Sequence, residues 1–124
     1  MANILLVDDD AQVRAFARDV LADGGHTVRE ARDGNEGLKE FHREPADLVV
    51  CDLFMPEREG IETIIELRRS SPSVRVLAIT GGNRYGGPGR LLTTAKMLGA
   101  NGVLAKPFTA DQFLVAVAAA LATG

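Results

Sequence analysis

A single cysteine among 124 residues leaves nothing for an intramolecular disulfide to join. The chain also lacks a charged leader followed by an apolar core, since it runs from Met1-Ala2 straight into Asn3-Ile4-Leu5-Leu6-Val7. Together these absences make a cytoplasmic location the expectation. Long hydrophobic runs are missing as well. The most apolar stretch, Phe113 to Ala122, has about half of the ~20 residues that a membrane span requires, so it reads as a packed helix and no membrane partner is expected. Positive charge is not in excess: 14 Lys and Arg stand against 17 Asp and Glu, a formal net charge of −3. Both signs are interspersed, so no basic face forms and direct nucleic-acid binding is not expected. The two histidines, His26 and His42, have no Cys, Asp or His at ligand spacing and read as surface residues. The glycine-rich run from Gly81 to Gly89 lacks the Lys-[Ser/Thr] of a phosphate loop and reads as a mobile connection. No repeat or low-complexity segment interrupts the chain. With 46% hydrophobic and 25% charged residues, it is long enough to bury one core and too short for two.

What the sequence does have is acids at the ends of apolar runs. Asn3 to Val7 is short and continuous, as in a strand buried on both faces. It ends without a spacer in Asp8-Asp9-Asp10. Adjacent like charges at the edge of a low-dielectric core repel one another, so they either take up protons or hold a cation. Taken alone, this stretch has a second reading, in which Asp10 caps the next helix and Asp8 and Asp9 are solvated loop acids. Val13, Phe16, Ala17, Val20 and Leu21 then form one inward stripe on a helix ended by Gly24-Gly25. Thr27 to Ala31 alternates weakly as a second strand, and Asp33-Gly34 opens a helix with Leu38 and Phe41 inward before Pro45.

Asp47-Leu48-Val49-Val50-Cys51-Asp52 repeats the opening pattern before Leu53-Phe54-Met55-Pro56 breaks it into a loop. Cys51 precedes the strand-end acid by one residue, so it points to the opposite face as a small core hydrophobe. Gly60 to Ser70 reads as a third helix through Ile61, Ile64, Ile65 and Leu67, with Arg68 and Arg69 near its negative end and needing no partner there. Val74 to Thr80 is a β-branched strand that ends in a hydroxyl instead of an acid. A fourth helix is expected through Leu91, Leu92, Ala95 and Leu98, closed by Gly99. Val103-Leu104-Ala105 makes a short fifth strand and Lys106-Pro107 follows at once. Thr109 and Gln112 have capping-box spacing for a last helix whose buried face is Phe113, Leu114, Val117 and Leu121.

Strands alternating with helices in this way predict an α/β sheet with right-handed crossovers and helices on both faces. Ligands in such sheets bind beyond the carboxyl ends of the strands, where strand order reverses. That brings Asp8, Asp9, Asp52, Thr80 and Lys106 around one crevice. A trio of carboxylates suits a hard divalent cation, Mg2+ above all, because that ion accepts one or two carboxylates plus waters and phosphate oxygens. A lysine opposite them supplies a point charge for phosphate oxygens, and a threonine hydroxyl can donate to one. The remaining acid is then available as a nucleophile.

The joint pattern of an acid pair after the first strand, Asp52 followed by Met55-Pro56, Thr80 after the fourth strand and Lys106-Pro107-Phe108 after the fifth resembles the receiver domain of two-component response regulators. The match spans the whole chain. It implies a flavodoxin-like, doubly wound five-stranded parallel sheet of order 2-1-3-4-5 with five helices, as one receiver domain over residues 1–124 with no output domain. It implies that Asp52 is phosphorylated from a phosphohistidine on a sensor histidine kinase or a histidine phosphotransfer protein. Asp9 would bind Mg2+ or Mn2+ directly with Asp8 in support, alongside Asp52 and the Phe54 backbone carbonyl, while Thr80 and Lys106 contact the phosphoryl group. It further implies a cis Lys106–Pro107 bond, and a downstream protein target on the face of the fourth helix, fifth strand and fifth helix, with homodimerisation on phosphorylation as a further outcome. The expectation is a phosphoacceptor rather than an enzyme.

Two departures from the family pattern stand out. Val103 occupies the position of the usual switch aromatic, and the loop after Thr80 is longer and richer in glycine than is usual. The loop from Gly81 to Gly89 is therefore the expected responsive element, with Tyr85 as a solvated loop residue. Three other readings fit the residues less well. An aspartyl phosphatase needs a second acid two residues past its nucleophile, where Phe54 stands. Phe54 and Gly82 also offer no group to position an attacking water, so a long-lived phosphorylated form is expected. A flavin module would present hydroxyls and amides where Asp8-Asp9-Asp10 would repel phosphate. A pseudo-receiver, which binds a partner without phosphorylation, normally lacks a site residue, and all five are present here.

Overall fold

The computed structural model describes residues 2–53, 60–81 and 99–123. Five strands and four helices lie among them: β1 (Asn3–Val7), α1 (Ala11–Asp23), β2 (Thr27–Ala31), α2 (Gly34–Arg43), β3 (Leu48–Asp52), α3 (Gly60–Ser70), β4 (Val76–Thr80), β5 (Gly102–Ala105) and α4 (Ala110–Ala122). The predicted fourth helix through Leu91 to Leu98, the loop positions from Gly82 onward including Tyr85, and Phe54 fall outside the described residues. No described helix is long and apolar enough to cross a membrane.

The sheet runs β2-β1-β3-β4-β5, with every neighbouring pair parallel, as expected. Strand alternation divides the core in two. Leu5, Val7, Val49, Cys51, Val76 and Ala78 face Phe41 of α2 and Ile64 and Leu67 of α3. Ile4, Leu6, Leu48, Val50, Leu77 and Ile79 face Ala17 and Leu21 of α1 and Phe113, Val117 and Ala120 of α4. Each fully buried aliphatic side chain contributes roughly 1.5–3 kcal/mol relative to exposure. The central strands are thus held from both sides, and the residues at their carboxyl ends inherit that rigidity.

Local chemistry sets the helix ends. Asp10 accepts from the Gln12 and Val13 N–H groups as the cap of α1, Asp33 accepts from the Glu36 N–H, and Thr109 and Gln112 form the predicted capping box. After α1 the chain turns through Gly25 at φ 89°, a conformation that side chains with a Cβ rarely adopt.

Several details differ from the sequence reading. The fourth strand begins at Val76 rather than Val74, because the Val74 N–H is bonded to the Ser71 carbonyl in the turn that leaves α3. The fifth begins one residue early, since Gly102 pairs with Leu77. Phe16 is 43% and Ile65 41% exposed, so the apolar stripes of α1 and α3 are wider than the strips the sheet covers. Leu114 and Leu121 are only partly buried, and Ala120 takes the central place in α4 instead. His26 is partly buried rather than fully exposed, with Nδ1 accepting from the Ala2 N–H at 3.1 Å. Arg68 does have partners: it donates to the Gly99 carbonyl and, at 3.1 Å, to Asn101 Oδ1. Arg69 pairs with Glu66 at 3.0 Å.

Candidate functional site

β1 and β3 are neighbours in the sheet although β2 lies between them in sequence, so the strand order reverses there. Both strands run into acids. Asp8 is 1% and Asp52 4% exposed. By alternation Asp8 continues the phase of Ile4 and Leu6, Asp52 that of Leu48 and Val50, and Lys106 that of Leu104. All three therefore project from the α1/α4 side of the sheet at its carboxyl edge. Lys106 Nζ lies 2.9 Å from Asp52 Oδ2 and 3.2 Å from Asp8 Oδ2. Carboxylate oxygens of Asp8, Asp9 and Asp52 come within 4.8 Å of one another. Thr80 is buried at the end of β4, next to β3, and its carbonyl accepts the Lys106 N–H at 2.7 Å. The bond after the lysine, Lys106–Pro107, is cis, as expected.

The three consecutive acids have three different situations. Asp8 is sealed in, and its Oδ1 accepts the Asp10 N–H at 2.9 Å. Asp9 is exposed. Asp10 caps α1. Burial, with the Asp52 charge adding to it, pushes the Asp8 carboxyl above its ordinary value, against the Asp10 N–H and the Lys106 charge. For Lys106 burial works against the charged form, yet the hydrogen bond to Asp52 and the charges of Asp52 and Asp8 outweigh it and hold the ammonium above its usual value. Asp8 and Asp52 therefore sit over a cation that stays charged. Cys51 is wholly buried on the other face, where burial and then the nearby Asp52 and Asp8 charges push its thiol up, so it is an unreactive core group as expected.

The donor set fits a hard divalent cation. Among the described residues the buried Asp8 Oδ2 has Lys106 Nζ, at 3.2 Å, as its partner and is otherwise unsatisfied, and the three acids offer oxygen ligands and no sulfur. Without metal, this arrangement costs stability. Asp8→Asn keeps the Oδ1 acceptor and removes a charge whose burial outweighs its pairing with Lys106, so it is expected to stabilise the metal-free protein at neutral pH by on the order of 1 kcal/mol. The sign follows from linkage: an acid whose titration is raised in the folded state makes stability fall as pH rises from the ordinary carboxylate range through the raised value. The gain should be present above that window and vanish below it. Thermal melts in EDTA across the acid range check both parts, and a variant that melts no higher than wild type at neutral pH would contradict the cost assigned to burying the Asp8 charge beside Asp52.

Gly60, Phe16 and Arg14 contribute to the site although no motif in the sequence marks them for it. Gly60 packs its Cα against the Asp52 peptide so closely that a Cβ would stand 1.8 Å from the Asp52 carbonyl oxygen. Its only sequence signal is a glycine opening the helix after the Asp52 loop. Phe16 and Phe108 have ring centroids 6.1 Å apart and, with Val13 and Pro107, line a cleft of about 330 Å3 that includes Asp10 and Lys106. Arg14 Nη1 donates to the Asp8 carbonyl at 2.7 Å.

Residues 4–118 match the response regulator receiver domain. The chain belongs to that family. It is 30% identical to chemotaxis protein CheY of Listeria monocytogenes over 118 residues, covering 94% of this chain and 96% of that one. It is 31% identical to chemotaxis protein CheY of Bacillus subtilis over 115 residues, 92% of each. The solved receiver domain of NtrX from Brucella abortus superposes with a TM-score of 0.89 at 29% identity, over 98% of this chain and 99% of that domain. This receiver domain is thus a phosphoacceptor-type module of two-component signal transduction. Where the family pattern has its switch aromatic, Val103 is partly buried and packs against the cluster on the α2/α3 side.

Proposed function

We propose that this receiver takes a phosphoryl group onto Asp52 from a phosphohistidine on a sensor histidine kinase or histidine phosphotransfer protein, and that the change is read by a downstream protein. The observation that carries the proposal is the Lys106 ammonium lodged against both Asp52 and Asp8, with Asp9 completing a carboxylate trio. An Asp52 carboxylate oxygen attacks phosphorus, a P–O bond forms, the P–N bond breaks, and the imidazole leaves with the electron pair. Lys106 then exchanges its carboxylate contact for a phosphoryl oxygen, and the Thr80 hydroxyl donates to another. Asp8, Asp9, Asp52 and the Phe54 carbonyl would hold Mg2+ or Mn2+, which when bound neutralises charge on the transferring group. The test is the intact mass of the chain after acetyl phosphate with Mg2+ or with EDTA: a gain of one phosphoryl group only with metal supports the proposal, and no gain in either rejects it.

The cleft beside Lys106 supplies a place for the donor protein. Aromatic side chains, phenylalanine included, are enriched at the cores of protein interfaces, and Phe16 is an exposed one beside the reactive pocket. Phe16→Asp is expected to slow transfer from a phosphorylated histidine kinase roughly 30-fold or more, the scale of a lost 2 kcal/mol hot spot. The rate from acetyl phosphate, which has no protein surface to dock, should stay within about twofold. Equal losses with both donors would mean that Phe16 shapes the site and not the encounter. On the output side, β5 and α4 with the predicted fourth helix form the proposed target face, where Val115 is 70% exposed.

A further inference from the structure

We propose that Arg14 is a positioning residue of the metal site, acting through the peptide that joins Asp8 to Asp9. The proposal rests on the reading of Asp8, Asp9 and Asp52 as metal ligands. Arg14 lies one turn into α1, and its side chain is only 17% exposed. Nη1 donates to the Asp8 carbonyl at 2.7 Å, a short charge-assisted bond. Nε lies 3.4 Å from Glu30 Oε1 on β2, and Glu30 Oε2 is held in turn by Arg18 Nη1 at 3.1 Å. The guanidinium is therefore fixed from behind by a carboxylate that two arginines share.

Among the described residues no hydrogen bond or ion pair anchors the Asp9 carboxylate, which is exposed. Its direction is set by its neighbours. The Asp8 N–H donates to the Ala31 carbonyl at 3.1 Å, Asp8 Oδ1 accepts the Asp10 N–H at 2.9 Å, and Asp10 is pinned as the cap of α1. These bonds leave rotation of the Asp8–Asp9 peptide plane, and among the described residues the contact that holds this plane is Arg14 Nη1 to the Asp8 carbonyl. Releasing the carbonyl lets the plane turn and swings the Asp9 carboxylate away from Asp8 and Asp52. Arg14 acts by geometry, since the cation that Asp8 feels directly is Lys106.

Groups that orient metal ligands from behind typically change metal affinity by about 10–100-fold when removed. Arg14→Ala is expected to weaken Mg2+ binding, measured by calorimetry on the unphosphorylated protein, at least ~10-fold. At saturating Mg2+ the rate from acetyl phosphate should return to within about threefold of wild type. Glu30→Gln, which loosens the support and keeps the arginine, should give a smaller loss in the same direction. Should Arg14→Ala fail to fold, Glu30→Gln and Arg14→Lys carry the test by the same titration. Unchanged affinity in folded variants, with wild type binding Mg2+, overturns the positioning role alone. A wild type that binds no Mg2+ overturns the metal reading along with it.

Discussion

Asp52→Asn is expected to take up no phosphoryl group from acetyl phosphate or from a kinase, with Mg2+ present throughout. An amide has the shape of the carboxylate but lacks its nucleophilic oxygen. Its Oδ can still accept from Lys106, which lies 2.9 Å from Oδ2 in the wild type, so the site should keep its form. Lys106 keeps Asp8 as its second carboxylate partner, so the metal-free variant should stay folded, with a small loss of stability at most. The loss is then chemical and not structural. Asp9→Ala separates the roles further: it keeps Asp52 and should fail for want of metal binding. Labelling of Asp52→Asn at wild-type stoichiometry would sink the assignment.

Lys106→Met is expected to move stability, metal affinity and phosphotransfer in different directions. In the wild type the lysine side chain is 24% exposed while those of Asp8 and Asp52 are 1% and 6% exposed, so two acids largely closed to water share one partly solvated cation. Removing one partner of a buried ion pair costs about 3–5 kcal/mol, and with the lysine partly in water a loss of about 2 kcal/mol is expected without metal. A divalent cation faces no competing ammonium in the variant, so Mg2+ should bind roughly tenfold more tightly and restore much of the stability by mass action. Transfer should nevertheless slow by about a hundredfold, since a donor to the phosphoryl oxygens has gone. Thermal melts in EDTA and in Mg2+, calorimetry and acetyl phosphate kinetics read the three effects. A variant as stable as wild type in EDTA and no tighter for Mg2+ would show that Lys106 is not the counter-ion of the acid pair.

Much of the site was legible because strand burial leaves a strong signature. Ile4 to Val7 and Leu48 to Cys51 are apolar without interruption, and both are covered on two faces. An acid that ends such a run has to sit at the sheet edge, which is where Asp8 and Asp52 lie. Lys106 could be placed by the same logic after β5. Asp8, Asp9 and Asp10 looked equivalent as a string, and only the fold separates them. The turn into α1 buries the first, exposes the second and makes the third a cap. The reading that gave Asp10 a capping role and the reading that gave Asp8 and Asp9 a shared pocket both described part of the result.

What was hidden depends on backbone partners or on the shape of a neighbour. Arg14 serves a carbonyl, and every residue has one, so no residue type marks the contact. The closeness of Gly60 to the Asp52 peptide exists only once the chain returns from its loop. Phe16 obeys the apolar period of α1 and still lies 43% exposed, because period reports which residues could face inward and not how wide a strip the sheet covers.

Borohydride reduction after incubation with acetyl phosphate and Mg2+ tests the central claim most directly, because it converts an aspartyl phosphate to homoserine and records the position in the peptide mass. The proposed function predicts homoserine at position 52 alone, absent when EDTA replaces Mg2+. Homoserine at Asp8 or Asp9, or phosphorylated protein that yields none at 52, would contradict it.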